Sequence, residues 1–82
     1  MNHDQIIKAI IQQIVFLATA PEDAVHPDVA VKQLEDIAFC LRGLPDEAKE
    51  SFERMASEIA LFEQRAESKD ALMRMGEYLG WR

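Results

Sequence analysis

Apolar residues recur along most of the chain at the spacing of an α-helix, three or four positions apart. This spacing predicts a first helix over residues 4–20, which Pro21 ends because proline has no backbone N–H and disfavours a helical residue before it. A second helix is predicted over residues 27–42, with Gly43 as its left-handed C-terminal cap. The apolar positions of the two helices are Ile6, Ile7, Ile10, Ile11, Ile14, Leu17 and Ala18, and then Ala30, Val31, Leu34, Ile37, Ala38 and Leu41.

A third helix is predicted to begin at Pro45, and its apolar positions alternate spacings of four and three. This heptad pattern is typical of a packing seam and predicts a helix of about five turns. The phase of the pattern then breaks, and Ser68 and Gly80 suit the N-terminal cap and the C-terminal stop of a short fourth helix. The seam consists of Ala48, Phe52, Met55, Ile59, Phe62 and Ala66, and the residues Leu72, Met75 and Leu79 follow the break.

These elements predict an all-α fold: a small antiparallel bundle of three amphipathic helices plus a short C-terminal helix, in a single domain over residues 1–82. The composition, with 49% hydrophobic and 29% charged residues, is typical of a globular domain.

The apolar N-terminal run ends in Ala-Thr-Ala, as a signal peptide would, but no Lys or Arg precedes the run and Lys8 interrupts it. The sequence therefore does not match the pattern of a signal peptide. No apolar run reaches the ~18 residues of a membrane-spanning helix, so we expect no association with a membrane.

The net charge of the chain favours some classes of binding partner over others. The net charge is −6, which disfavours direct binding to nucleic acid or to an anionic membrane and favours a basic protein partner. The whole excess lies in two segments, residues 21–28 and 44–66. We interpret these acids first as stabilising helix N-termini and keeping a small protein in solution. The alternative is that the start of the third helix and the loop before the second form one negative patch for a basic protein. The lone cysteine, Cys40, cannot form an intrachain disulfide and indicates a reducing, cytoplasmic location. We interpret Cys40 as a partly buried packing residue.

The residue inventory does not suggest catalysis. His3 and His26 lie in separate segments, and no spacing of His, Cys, Asp and Glu suggests a metal site. The chain has no Gly-rich phosphate loop, and no Ser, Thr or Cys has an obvious base and orienting acid. We therefore expect no enzymatic activity, no cofactor, and no catalytic or metal-binding residue.

The tripeptide His26-Pro27-Asp28 is also the signature that J-domain co-chaperones present to their chaperone partner. Those proteins place it after a long basic helix, whereas the predicted first helix here contains one basic residue, Lys8. Pro27 suits the first position of a helix, and Asp28 suits the positive end of the helix dipole. We interpret the tripeptide as the start of the second helix.

Several large apolar residues lie off the predicted packing faces and suggest a contact surface. Leaving such a side chain in water forgoes ~1.5–3 kcal/mol of burial, and aromatic residues are enriched in protein interfaces. These off-face residues, the aromatic residues near the C-terminus and the acids of the third helix form the candidate partner-binding set: Phe39, Leu61, Phe16, Asp46, Glu47, Glu50, Tyr78 and Trp81.

Residues 31–60, VKQLEDIAFCLRGLPDEAKESFERMASEIA, resemble small acidic all-helical immunity-type proteins that are encoded beside bacterial toxins. The resemblance implies a cytoplasmic inhibitor that binds a toxin or effector one to one, with its acids against basic residues around the toxin's active site. A regulator that mimics DNA with its carboxylates is one form of this hypothesis. The alternative is a self-assembling, homodimeric structural or regulatory module, in which the off-face apolar residues bind a second copy.

Overall fold

The computed structural model describes residues 3–81, which form five α-helices and no strand. This confirms the all-α bundle. The helices are α1 (Asp4–Thr19), α2 (Pro27–Leu41), α3 (Asp46–Ala60), α4 (Ala66–Met73) and α5 (Met75–Tyr78).

Helix α1 is the central element, because it packs against α2, α3 and α4. Its deeply buried positions are Ile11, Ile14 and Leu17, which follow one another at the predicted helical spacing. Ile6 was predicted to lie on this face, yet half of its surface is exposed. The helix ends one residue before the predicted Ala20, which has the extended backbone that a following proline favours.

Helix α2 begins as predicted at the His-Pro-Asp tripeptide. Pro27 occupies its first turn, and the Nδ1 atom of His26 accepts a hydrogen bond from the backbone N–H of Asp28 at 3.2 Å. This bond satisfies one of the N–H groups that a helix N-terminus leaves without an intrahelical acceptor. The tripeptide therefore has a complete structural role as a helix start.

Helix α2 is a peripheral element whose main contacts are with α1. None of its side chains is fully buried, although Leu34, Ile37 and Leu41 pack against the edge of the core. The sequence prediction was wrong for Val31, which is more than half exposed, and for Cys40, which is exposed. A helix that is covered on one side only by a single neighbour leaves the flanks of its apolar face in contact with solvent.

The predicted seam of α3 is wrong at its C-terminal end. The helix stops at Ala60, and Phe62 lies in the following turn with 86% of its surface exposed. The turn is tightened by bonds between residues three apart, including one from the Phe62 N–H to the Ile59 carbonyl oxygen. The buried residues of α3 are Phe52, Ala56 and Ala60, which follow one another at a spacing of four.

Helix α4 starts earlier than predicted, with Arg65 as the residue at its N-cap. Ser68 is therefore not a cap but a buried residue within the helix. The predicted fourth helix is also divided in two at Arg74, whose backbone leaves the helical region. The Arg74 side chain bonds Asp70 at 3.4 Å and Glu77 at 2.7 Å, so it bridges the break.

The segment after the break completes the core. Leu72, Met75 and Leu79 are all buried and pack into the same cluster as Ile11, Ile14 and Phe52. The division between α4 and α5 lets the chain turn, so that side chains from both short helices reach one apolar interior. The prediction that these three residues do not continue the α3 seam is confirmed.

The two glycines predicted as helix stops behave differently. Gly80 has a φ of +74°, and the N–H groups of Gly80 and Trp81 bond back to Glu77 and Gly76 in a left-handed cap. Gly43, which was predicted to cap α2 in the same way, does not have a positive φ. The Gly80 cap returns the chain to the core and places Trp81 against Phe52.

Gly80→Ala is expected to destabilise the protein by about 1–2 kcal/mol, because an L-residue is strained in the left-handed region. Gly43→Ala is the matched control, since no atom lies within 4 Å of the added methyl group and the backbone needs no positive φ. We expect this variant to be neutral or stabilised by up to about 1 kcal/mol, through a less flexible unfolded chain. Urea denaturation measures both; an equal loss in the two variants would contradict the assigned cap.

Candidate protein-binding surface

The strongest candidate for a functional surface lies where α2 ends and α3 begins. A four-residue turn, residues 42–45, joins the two helices and brings their polar ends together. We call this surface the acidic end and define it by Phe39, Arg42, Asp46, Glu47 and Glu50. All five residues are exposed.

Phe39 projects from α2 with 64% of its surface exposed. The Arg42 guanidinium carbon lies 4.4 Å from the centre of its ring, in the geometry of a cation–π contact. This contact covers one side of the ring and restricts its orientation. It also engages the basic side chain that precedes the carboxylates of α3 in sequence.

The carboxylates of Asp46, Glu47 and Glu50 form no ion pair within 4.0 Å inside residues 3–81. The one basic residue among them, Lys49, has its ammonium nitrogen 5.6 Å from the centre of the Trp81 ring. Negative charge is thus concentrated on the first two turns of α3, and the two nearby cations lie over aromatic rings.

Tyr78 and Trp81, both predicted to bind a partner, are partly buried. The Trp81 ring meets Phe52 edge to face, with ring centres 5.6 Å apart. Its indole N–H is buried and finds no acceptor in the part of the chain that the structure describes. Trp81 therefore borders the core beside the acidic end, and only part of its ring is available to a partner.

The remaining apolar candidates lie away from the acidic end. Leu61 is 76% exposed but follows the C-terminus of α3, about 22 Å along the helix axis from Asp46. The adjacent Phe62 is even more exposed, and the sequence prediction missed it because its spacing matched the packing seam. Phe16 lies on α1, where it is half exposed.

The two acidic segments do not form one patch, which was the alternative to a role at helix N-termini. Glu22 and Asp23 lie in the loop before α2, whereas Asp46 and Glu47 follow the turn after it. Because α2 has 15 residues, these groups are separated by about 22 Å along its axis. The alternative of one continuous patch is therefore wrong, and the carboxylates of the acidic end come from α3 alone.

An apolar groove runs between α1 and α2 and has a volume of about 350 Å³. It shares Ile10 and Leu41 with a second apolar groove of about 290 Å³, which continues towards the start of α3. At its rim, Asp36 accepts a hydrogen bond from the Lys32 ammonium group at 2.9 Å, and this bond raises the pKa of Lys32. The lining residues of the first groove are Ile10, Gln13, Asp36, Ile37, Cys40 and Leu41.

Within the described residues, no three side chains among His, Cys, Asp and Glu are arranged to hold a metal ion. No helix over residues 3–81 has both the length and the apolar character needed to span a membrane. No family model matches the chain, and neither a curated protein nor a solved structure matches it.

Proposed function

We propose that this chain is a non-catalytic, cytoplasmic binding protein of the immunity type, which binds and neutralises a basic bacterial toxin or effector through its acidic end. The observation that carries the proposal is the cluster of unpaired carboxylates of Asp46, Glu47 and Glu50 beside the exposed Phe39 ring. Charged groups steer the encounter with an oppositely charged partner, and an exposed aromatic ring supplies an apolar anchor.

Stabilisation of the helix dipole accounts for only part of this arrangement. The dipole effect is confined to the first turn, so it explains Asp46 and Glu47 but not Glu50 in the second turn. Glu50 follows Asp46 by four positions, so the two carboxylates project from the same side of α3. A basic surface that meets this side can pair with both.

The test compares two triple variants of equal net charge. In the first, Asp46→Asn, Glu47→Gln and Glu50→Gln neutralise the acidic end. In the second, the control, Glu22→Gln, Asp23→Asn and Asp28→Asn neutralise the other acidic segment. Both variants lose three charges, so the effect of net charge on solubility is matched. The first variant loses two acids from the first turn of a helix and the control loses one, Asp28, so circular dichroism of both checks that the helices are retained.

Each tagged protein is used to capture partners from lysate of the source cell at low and at moderate salt. A basic protein that the wild type recovers is then purified and titrated calorimetrically. We expect neutralisation of the acidic end to weaken binding about 10- to 100-fold and to reduce its salt dependence, because close charge pairs across interfaces are strongly coupled.

The control triple variant is expected to bind within about threefold of the wild type, since its charges lie beyond a Debye length from the acidic end. Inhibition of the purified partner's activity is measured with the same variants. Equal weakening by both triple variants would show that only net charge matters and would refute a specific acidic end. The absence of any basic partner would refute the proposed function itself.

A further inference from the structure

The two apolar grooves between the helices form one continuous depression. The groove of about 350 Å³ between α1 and α2 shares Ile10 and Leu41 with the groove of about 290 Å³ that reaches Ala48 on α3. Ile6 and Gln13, which line one groove each, are seven positions apart and therefore lie on the same side of α1. We call the two grooves together the joint groove.

Helix α2 has no second neighbour on the side of the joint groove within residues 3–81. Its main contacts are with α1, and none of its side chains is fully buried. Ile37 and Leu41 line the groove and are only partly buried. A further helix laid along the groove would contact α1 and α2 together and would cover these side chains, which is the helix-in-groove mode of protein recognition.

The length of the joint groove suits about three turns of helix. On α1 its lining residues extend from His3 to Gln13, which are ten positions apart and therefore span about 15 Å along the helix axis. A helical segment of about ten residues has the same length. Such a segment presents apolar side chains on one face at positions i, i+3 or i+4, and i+7, which is the pattern that binds an apolar groove.

The charges at the two ends of the joint groove favour a basic occupant. At one end the wall includes the carboxylate of Asp36, which pairs with Lys32 but keeps more than half of its side chain in solvent. At the other end Asp46 and Glu47 precede Ala48 in the first turn of α3. The joint groove is therefore apolar along its length and has carboxylates at both ends, where the long side chains of Lys and Arg can reach them.

We propose that the joint groove binds an amphipathic basic helix of the partner protein, with its apolar face in the groove and Lys or Arg residues at both ends. This inference rests on the proposed function and adds the chemistry of the partner segment that continues from the acidic end. A second copy of the chain would bring its own net charge of −6 to these carboxylates. An anionic membrane surface would be repelled for the same reason.

The probe is a synthetic peptide of about four helical turns, with leucines three and four positions apart on one face and lysines towards both ends. A control peptide has the same composition in an order that forms no apolar face. Calorimetric titration of the full chain should show at least about tenfold tighter binding of the amphipathic peptide, because only its leucines can be buried together. The amide resonances of Ile6, Ile10 and Ile37 should shift on binding.

Cys40→Arg and Val31→Arg are a matched pair of variants on α2. Both positions are exposed, and both substitutions add one positive charge. Cys40 lines the joint groove, whereas Val31 lies nine positions away, two and a half turns, and therefore on the opposite side of the helix. Cys40→Arg should weaken binding of the amphipathic peptide at least about tenfold, since it places a charge in the apolar groove. Val31→Arg should leave the affinity within about threefold of the wild type.

Equal affinity for the two peptides, or equal weakening by Cys40→Arg and Val31→Arg, would overturn the joint groove as the binding site. Equal affinity for a peptide with glutamates in place of the lysines would overturn the basic chemistry of its occupant. A captured partner that is weakened by neutralising the acidic end but not by Cys40→Arg would also overturn this inference while leaving the proposed function intact. Failure of the proposed function is seen separately, as the absence of a basic partner in the capture experiment.

Discussion

Phe52→Ala is expected to destabilise the protein by about 3–5 kcal/mol, the largest effect of any single truncation that we predict. The Phe52 side chain is 2% exposed and lies at the centre of the buried cluster. Its removal loses apolar burial and leaves a cavity. It also removes the edge-to-face contact with Trp81, which adds about 0.5–1.5 kcal/mol to the effect of area alone.

The matched control is Phe62→Ala, in the turn after the same helix. The heptad pattern assigns Phe52 and Phe62 to one seam, so the sequence alone predicts similar losses. The structure leaves Phe62 86% exposed, and we expect Phe62→Ala to change the free energy of unfolding by less than about 0.5 kcal/mol. Urea denaturation followed by the fluorescence of Trp81, the only tryptophan, measures both. Comparable losses in the two variants would show that α3 continues beyond Ala60 and buries Phe62.

Leu72→Ala is expected to cost about 2–5 kcal/mol. Leu72 is buried on α4, which packs against both α1 and α3, so truncation opens a cavity among three helices. For a domain with a total stability of about 5–15 kcal/mol, this loss is large enough to lower the thermal midpoint by many degrees.

Met73→Ala is the control next to it in sequence. Met73 lies on the outer side of α4 with most of its surface in solvent, and both substitutions introduce the best helix former. We therefore expect less than about 0.5 kcal/mol of change from Met73→Ala. Thermal unfolding followed by circular dichroism compares the pair; a greater loss at Met73 would mean that α4 presents a different face to the core.

The surfaces proposed for binding were only partly predictable from the sequence. Phe39 and Phe16 could be identified because each lies off the apolar face of its helix, and the structure leaves both exposed. Trp81 gave no such signal in the sequence, and the structure packs its ring against Phe52. The separation of the two acidic segments depends on the length and direction of α2, which place them at opposite ends of that helix.

The boundaries of helices with strong local signals could be predicted without any knowledge of the packing. Pro21 and the His26-Pro27 step mark the boundary between α1 and α2, because proline restricts the backbone whatever surrounds it. This restriction acts between neighbours in sequence, so the sequence is sufficient to predict it. Glycine gave a weaker signal: Gly43 was predicted as a left-handed cap and is not one, whereas Gly80, predicted only to end the last helix, has the positive φ.

The end of α3 and the set of apolar residues that are covered depend on how the helices pack against one another. No Gly or Pro stands between Ala60 and Ala66, yet the helix stops so that α4 can fold back. Helix α4 then packs against both α1 and α3, and the small side chains of Ala56, Ala60 and Ala71 are buried in this part of the structure. Periodicity identifies the apolar face of a helix, but burial depends on whether another helix has the length and position to cover it.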